Sequence, residues 1–205
     1  MPDLALTDLP LFPLHTVLFP DGLLKLKVFE ARYVDLATAC LRTGAPFGVV
    51  RLLEGSEVRG RGDAEVRFET LGVLAHVREL DVDQPGILAL RCHGGQRFTL
   101  VSPRQRGDGL WLADARVLPG DEPTPVPLEH ERCAQALRNA LVSLAEQGHA
   151  PIGAPHHFDD AGWVANRWCE LLPVPAAAKQ RLMALDEPGL RLKLVDEYLR
   201  GQGVV

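Results

Sequence analysis

The chain has 205 residues, 46% of them apolar and 24% charged, and a formal net charge of −5. A chain of this size buries roughly 70% of its unfolded surface and needs no disulfide or metal staple. The acidic balance, with no basic excess on either side of Pro119, excludes the broad cationic footprint that grips nucleic acid through its phosphates.

The stretch LPLFPLHTVLFPDGLLKLKVFEARY, Leu9 to Tyr33, reads as two extended segments around a turn. Pro10 and Pro13 forbid a helix and push their neighbours to extended geometry. Pro20-Asp21-Gly22 is turn chemistry. Leu24, Leu26 and Val28 alternate with Lys25 and Lys27 at the period of a half-buried strand. From Glu30 to Arg42 the period becomes helical through Tyr33, Leu36, Ala37, Cys40 and Leu41, with Gly44 as the stop. Phe47 to Leu53 is a short apolar strand, and the polar, glycine-rich Glu54 to Asp63 is expected to be a long loop. Val73, Ala75 and Val77 alternate, as do Leu88, Leu90 and Cys92. Gly94-Gly95 then predicts a hairpin turn before a strand from Gln96 to Val101. Trp111, Ala113, Ala115 and Val117 make one face of a further strand. About six strands joined by turns imply a closed or nearly closed sheet.

Pro119 to Pro127 holds four prolines and reads as a linker. Beyond it the period is helical. Ala134, Leu137, Leu141 and Leu144 form one stripe, and Val164, Trp168, Leu171 and Leu172 another, with Asp159 or Asp160 as its cap. Pro175 opens a third helix carrying Leu182 and Leu185. Pro188-Gly189 breaks the chain before a last helix marked by Leu192, Val195 and Leu199. The expected architecture is α+β: a β-barrel subdomain over 1–119, a proline-rich linker over 120–127 and a helical subdomain over 128–205.

The order LPLFPL, VLFP and F-E-x-R-Y, then F-G-V-V, resembles the substrate-binding N-terminal domain of Lon proteases. The matching residues are Leu9 to Leu14, Val17 to Pro20, Phe29 to Tyr33 and Pro46 to Val50. Leu71 to Ala75 is similar to the family's GT-x-A-x-I strand, Gly95-Gln96-Arg97-Phe98 to its G-x-x-R-F hairpin, and Lys179 to Asp186 with Arg191-Leu192 to its helical end. The resemblance covers nearly the whole chain. It implies a PUA-like pseudo-barrel followed by a helical bundle, with prolines at edge or barrel-closing positions that tolerate a missing donor.

The chemistry of Lon proteases resides in an ATPase module and a serine–lysine peptidase module, and neither is visible. No Gly-Lys dipeptide occurs, so there is no phosphate-binding G-x-x-x-x-G-K-[ST] loop. No nucleophile elbow surrounds Ser56, Ser102 or Ser143. The four cysteines, Cys40, Cys92, Cys133 and Cys169, lie far apart with no CxxC pair. The N-terminus carries Asp3 and Asp8 instead of a basic region, and no apolar run reaches the roughly 18 residues of a membrane span. The expectation is a cytoplasmic, non-enzymatic protein with reduced thiols, no cofactor and no membrane or nucleic-acid partner.

Phe12, Phe19, Phe29 and Tyr33 are core and barrel-closing aromatics by pattern, and they are the candidates for a peptide-binding groove. Glu30 and Arg32 form an ion pair that fixes strand to helix. The best-supported function is recognition of unfolded or apolar polypeptide segments, in the service of a protease or chaperone. Two other classes compete. One is an RNA-binding PUA-like module. The other is a metal-dependent enzyme that uses the loop from His149 to Asp160, with His149, His156, His157 and Asp159 as ligands. Adjacent histidines rarely converge on one metal, and an interhelical loop with an aspartate cap accounts for the same residues.

Overall fold

A computed structural model describes residues 5–57 and 65–205. The chain divides into two compact units, residues 1–120 and 121–205. The first contains β1 (Ala5–Leu14), β2 (Leu23–Val28), α1 (Ala31–Thr43), β3 (Phe47–Glu54), β4 (Arg67–Gln84), β5 (Ile87–Leu100), β6 (Arg104–Gln105) and β7 (Trp111–Val117). The strand order is β2-β5-β4-β3-β1-β7-β6, and β5 also pairs with β7. That second pairing closes β1, β3, β4, β5 and β7 into a five-stranded ring, the pseudo-barrel, with β2 and β6 as appended outer strands. Leu9, Leu11, Val50, Leu74, Phe98, Ala113 and Ala115 fill its interior. Most of the loop expected from Glu54 to Asp63 lies outside the described residues.

The prolines of β1 have a positional logic. β1 pairs antiparallel with β7 from Ala5 to Leu11, and parallel with β3 from Leu11 to Leu14. Pro10 faces Leu112 of β7 before the β3 pairing begins. Pro13 faces Val50 of β3 after the β7 pairing has ended. Each proline therefore sits where β1 has one partner strand, so its missing N–H leaves no ladder bond unmade.

Gly94-Gly95 is not a hairpin turn. β5 runs unbroken through both glycines, and its register with β4 slips there: Val73 faces Arg97, but Ala75 faces Gly94. The N-terminal half of β5 pairs with β2 and the C-terminal half with β7, so the pair marks a bulge at which the strand changes partners. The Phe19–Gly22 turn lies directly against it. Asp21 N–H donates to Gly94 O at 2.9 Å, and Gly94 N–H donates to Gly22 O at 2.8 Å. A Cβ on Gly94 would stand 2.2 Å from Phe19 O, which is why glycine occupies the position.

α1 packs against β4 and buries Tyr33, Leu36, Ala37 and Cys40. It ends at Gly44 in the left-handed region (φ 74°), whose N–H donates to Cys40 O. The expected Glu30–Arg32 pair forms at 2.9 Å, and Arg32 also donates to Gly109 O at 2.6 Å, tying the helix start to the loop before β7.

The second unit holds a 3-10 turn (Leu128–His130), α2 (Glu131–Glu146), α3 (Ala161–Leu171), α4 (Ala176–Met183) and α5 (Pro188–Gly201). α3 is buried on every side from Ala161 to Cys169, as befits the central helix of a small bundle. Asp160 caps it, accepting from Trp163 N–H at 2.7 Å. Pro188 does not break the chain but stands in the first turn of α5, where a missing N–H costs nothing.

The proline-rich stretch read as a linker over 120–127 makes backbone bonds within this unit. Thr124 N–H donates to Asp160 Oδ2, Ala161 N–H to Thr124 O and Val126 N–H to Asp159 O. Prolines signal extended backbone, and here that backbone lies beside the start of α3 as a β-bridge between Pro125 and Asp160. Two arginines of this unit, Arg167 and Arg191, are buried at 1% exposure, and Arg191 is the hub of a network. Its guanidinium donates to Asp121, Asn166 Oδ1, Leu182 O at 3.0 Å and Leu185 O.

Candidate functional site

In the barrel unit a cleft of about 180 Å³ opens along β2. Phe12 and Leu14 at the end of β1, Tyr33 on α1 and Glu57 after β3 line one side. The consecutive run Lys25 to Glu30 lines the other. Side chains in a strand alternate between faces. A lining that uses every residue of the run therefore follows the strand's edge and not one of its faces. β2 is the terminal strand of the sheet, with β5 as its one neighbour among the described residues.

The floor is aromatic. Phe12 and Tyr33 stack with ring centroids 3.9 Å apart and planes 12° from parallel. The Arg32 guanidinium covers Tyr33 at 4.6 Å. Burial, the largest influence, pushes the Tyr33 hydroxyl up to about 12, so it stays protonated and neutral. Phe29 stands out from this floor at 53% exposure, on a chain whose other cleft aromatics are buried.

Three of the four candidate groove aromatics, Phe12, Phe29 and Tyr33, thus meet in one cleft. Phe19 does not. It is 0% exposed, because the turn it opens is held against Gly94 and turns the ring into the core. Sequence reading missed Lys25 and Lys27 as cleft residues. A signal was present, since these two account for half of the four lysines in the chain and stand two apart on one strand.

The loop of the second unit does not bring its histidines together. His156 and His157 each pack against the Trp163 ring, at 5.7 and 6.1 Å between centroids, and both are exposed. Among the described residues, no three His, Cys, Asp or Glu side chains gather as a metal site. His149 and Asp159 are exposed, and it is Asp160 that does the capping. A broader hollow of about 560 Å³ beside this loop is lined by Arg132, Arg138 and Phe158, with the Arg138 guanidinium 4.1 Å over the Phe158 ring.

Residues 8–201 match the family model described as the ATP-dependent protease La (LON) substrate-binding domain. The chain belongs to this family. A Lon N-terminal domain protein from Xanthomonas campestris is 32% identical in its crystal structure, with 93% of this chain and 97% of that one covered and a TM-score of 0.71. The N-terminal domain of the Lon protease of the Mycobacterium avium complex shares the fold at 15% identity, with the same coverage and a TM-score of 0.61. No curated protein matches the chain in sequence.

The nucleophiles of this Lon-type domain are poorly placed for chemistry. All four cysteines are buried and free. Burial raises the Cys40 thiol and pushes those of Cys92, Cys133 and Cys169 up to about 12. His130 and Cys133 stand three apart, but His130 Nδ1 is engaged by Asp196 Oδ2 at 2.9 Å. The folded protein is expected to take up no iodoacetamide at pH 7.5 on a timescale that fully alkylates a free thiol, and to take up four equivalents in denaturant. Rapid labelling of a native cysteine, read by intact mass, would contradict the buried, protonated thiols. The sign for stability follows. These thiols ionise at their ordinary value of 9.0 when unfolded but near 12 when folded. The folded state then holds more protons, and stability falls as pH rises from about 9 towards 12.

Proposed function

We propose that this protein recognises polypeptide segments through the cleft beside β2 and carries out no chemistry on them. The observation that carries the reading is Phe29, a large apolar side chain left exposed over a buried aromatic floor in the family's substrate-binding domain. A cleft of 180 Å³ is smaller than the roughly 300–1,000 Å³ of small-molecule sites, and it suits one or two side chains of a longer ligand. Membership of a family of substrate-binding domains supports the same direction. In this reading the protein works in the cytoplasm with reduced thiols and hands its clients to a protease or chaperone.

The test is binding of a permanently unfolded protein, reduced and carboxymethylated, with its folded form and an RNA as controls. Saturable binding of the unfolded form alone is expected. Phe29→Ser should weaken it at least about tenfold, the scale of losing one apolar anchor. The melting temperature should stay within a degree or two, because the ring packs little in the free protein. Equal binding of the folded control, preference for RNA, or an unchanged affinity in Phe29→Ser would sink the proposal.

A further inference from the structure

Resting on that reading, the geometry points to the way the segment is held: we infer that it binds as an added antiparallel or parallel strand on the free edge of β2, with acidic residues alternating with apolar ones. Antiparallel strands turn both backbone groups of alternate residues towards the partner and those of the intervening residues away. Gly22 O accepts from Gly94 N–H, and the register continues from Leu23 opposite His93 to Val28 opposite Leu88. Leu24, Leu26 and Val28 therefore face β5. Leu23, Lys25 and Lys27 aim their N–H and C=O groups away from the sheet, with no strand beyond them among the described residues. Such a row is the template on which an extended peptide pairs.

The charges of the cleft choose the occupant. Lys27 is paired with Asp83 at 2.9 Å, Glu30 with Arg32, and Glu57 accepts from His15 N–H at 2.5 Å. Lys25, exposed on the edge, has no ion-pair partner among the described residues. A backbone amide leaves the Glu57 charge in place, but Glu57 follows β3 on the far side of the cleft; on the β2 edge itself the cation without an ion-pair partner among the described residues is Lys25, so the strand paired there carries a carboxylate opposite it. A second copy of β2 is the wrong occupant. Pairing edge to edge would set Lys25 and Lys27 against Lys25 and Lys27, and like charges directly opposed are destabilising. Positions of the added strand between the acidic ones fall on the side of Leu24, Leu26 and Val28, where Phe12, Tyr33 and Phe29 offer apolar contact.

The test uses the whole protein and a short fluorescein-tagged peptide that alternates Leu or Val with Asp or Glu, read by fluorescence anisotropy. Two derivatives carry N-methyl groups, one on the odd amides and one on the even amides. Each keeps every side chain, but only one loses the donors that would face β2. Strand addition predicts that one derivative binds about tenfold or more weakly than the parent while the other is within about threefold, since several backbone bonds are at stake. Lys25→Glu should weaken the parent about threefold and favour a peptide with Lys in place of Asp and Glu. Equal binding of the two derivatives, or failure of the parent peptide while unfolded protein still binds, overturns strand addition and leaves peptide recognition standing. Failure of both ligands overturns both.

Discussion

Gly94→Ala is expected to destabilise the barrel unit by about 3 kcal/mol or more. The new methyl group would lie 2.2 Å from Phe19 O, a backbone atom with no rotamer to adopt. Relief must come from moving the Phe19–Gly22 turn, and that turn is held by the two hydrogen bonds between Asp21, Gly22 and Gly94. Moving it displaces Phe19, one of the largest fully buried side chains, and lifts the start of β2 from β5. Urea unfolding measures the loss, and hydrogen exchange at Leu24, Leu26 and Val28 locates it. Gly107→Ala serves as the control, because nothing lies within 4 Å of its added Cβ. A loss below about 1 kcal/mol in Gly94→Ala would mean that the turn is not fixed against β5. The same variant should weaken peptide binding, since the edge that would receive the peptide begins at this turn.

Arg191→Leu is expected to cost the helical unit about 3–5 kcal/mol, the scale for removing one member of a buried ion pair. Asp121, Asn166 and the carbonyls of Leu182 and Leu185 share this one guanidinium as donor. The carbonyls belong to the end of α4 and the residues just beyond it, Asn166 to α3 and Asp121 to the segment that leads into the unit. One side chain of α5 therefore ties three other parts together. Arg191→Lys keeps the charge but loses the planar fork, and should fall between wild type and Arg191→Leu. The helical signal in circular dichroism, followed through a urea titration, reports the midpoint. A midpoint in Arg191→Leu matching wild type would show that the network contributes nothing net.

Local chemistry made most of the elements legible. The alternation of Leu24, Leu26 and Val28, the stop at Gly44 and the caps near Asp160 all depend on neighbours within a turn or two, and the family motif supplied the fold. What local pattern does not encode is which backbone comes close from far along the chain. Gly94-Gly95 carries hairpin chemistry, yet Gly94 makes room for the Phe19–Gly22 turn some 70 residues earlier. Pro119 to Pro127 carries linker composition, yet Thr124 and Val126 bond to the start of α3. The aromatic floor of the cleft was visible as a set of apolar residues. Phe19 was indistinguishable from Phe29 in composition, because burial of one and exposure of the other are decided by the turn between β1 and β2.

The ring closes through pairing of β1 with β7, as in Ala5 opposite Arg116, so its first strand must wait for its last. At about 5–20 residues per second, a ribosome leaves β1, with its segment LPLFPL, without β3, the partner of Leu11 to Leu14, for a few seconds and without β7, the partner of Ala5 to Leu11, for on the order of ten seconds. A bare strand of that composition is a hazard for aggregation. Pro10 and Pro13, placed where the finished ring asks for no donor, deprive that waiting strand of two of the N–H groups on which a stranger could pair. The prolines then act as guards during synthesis, at no cost to the folded sheet.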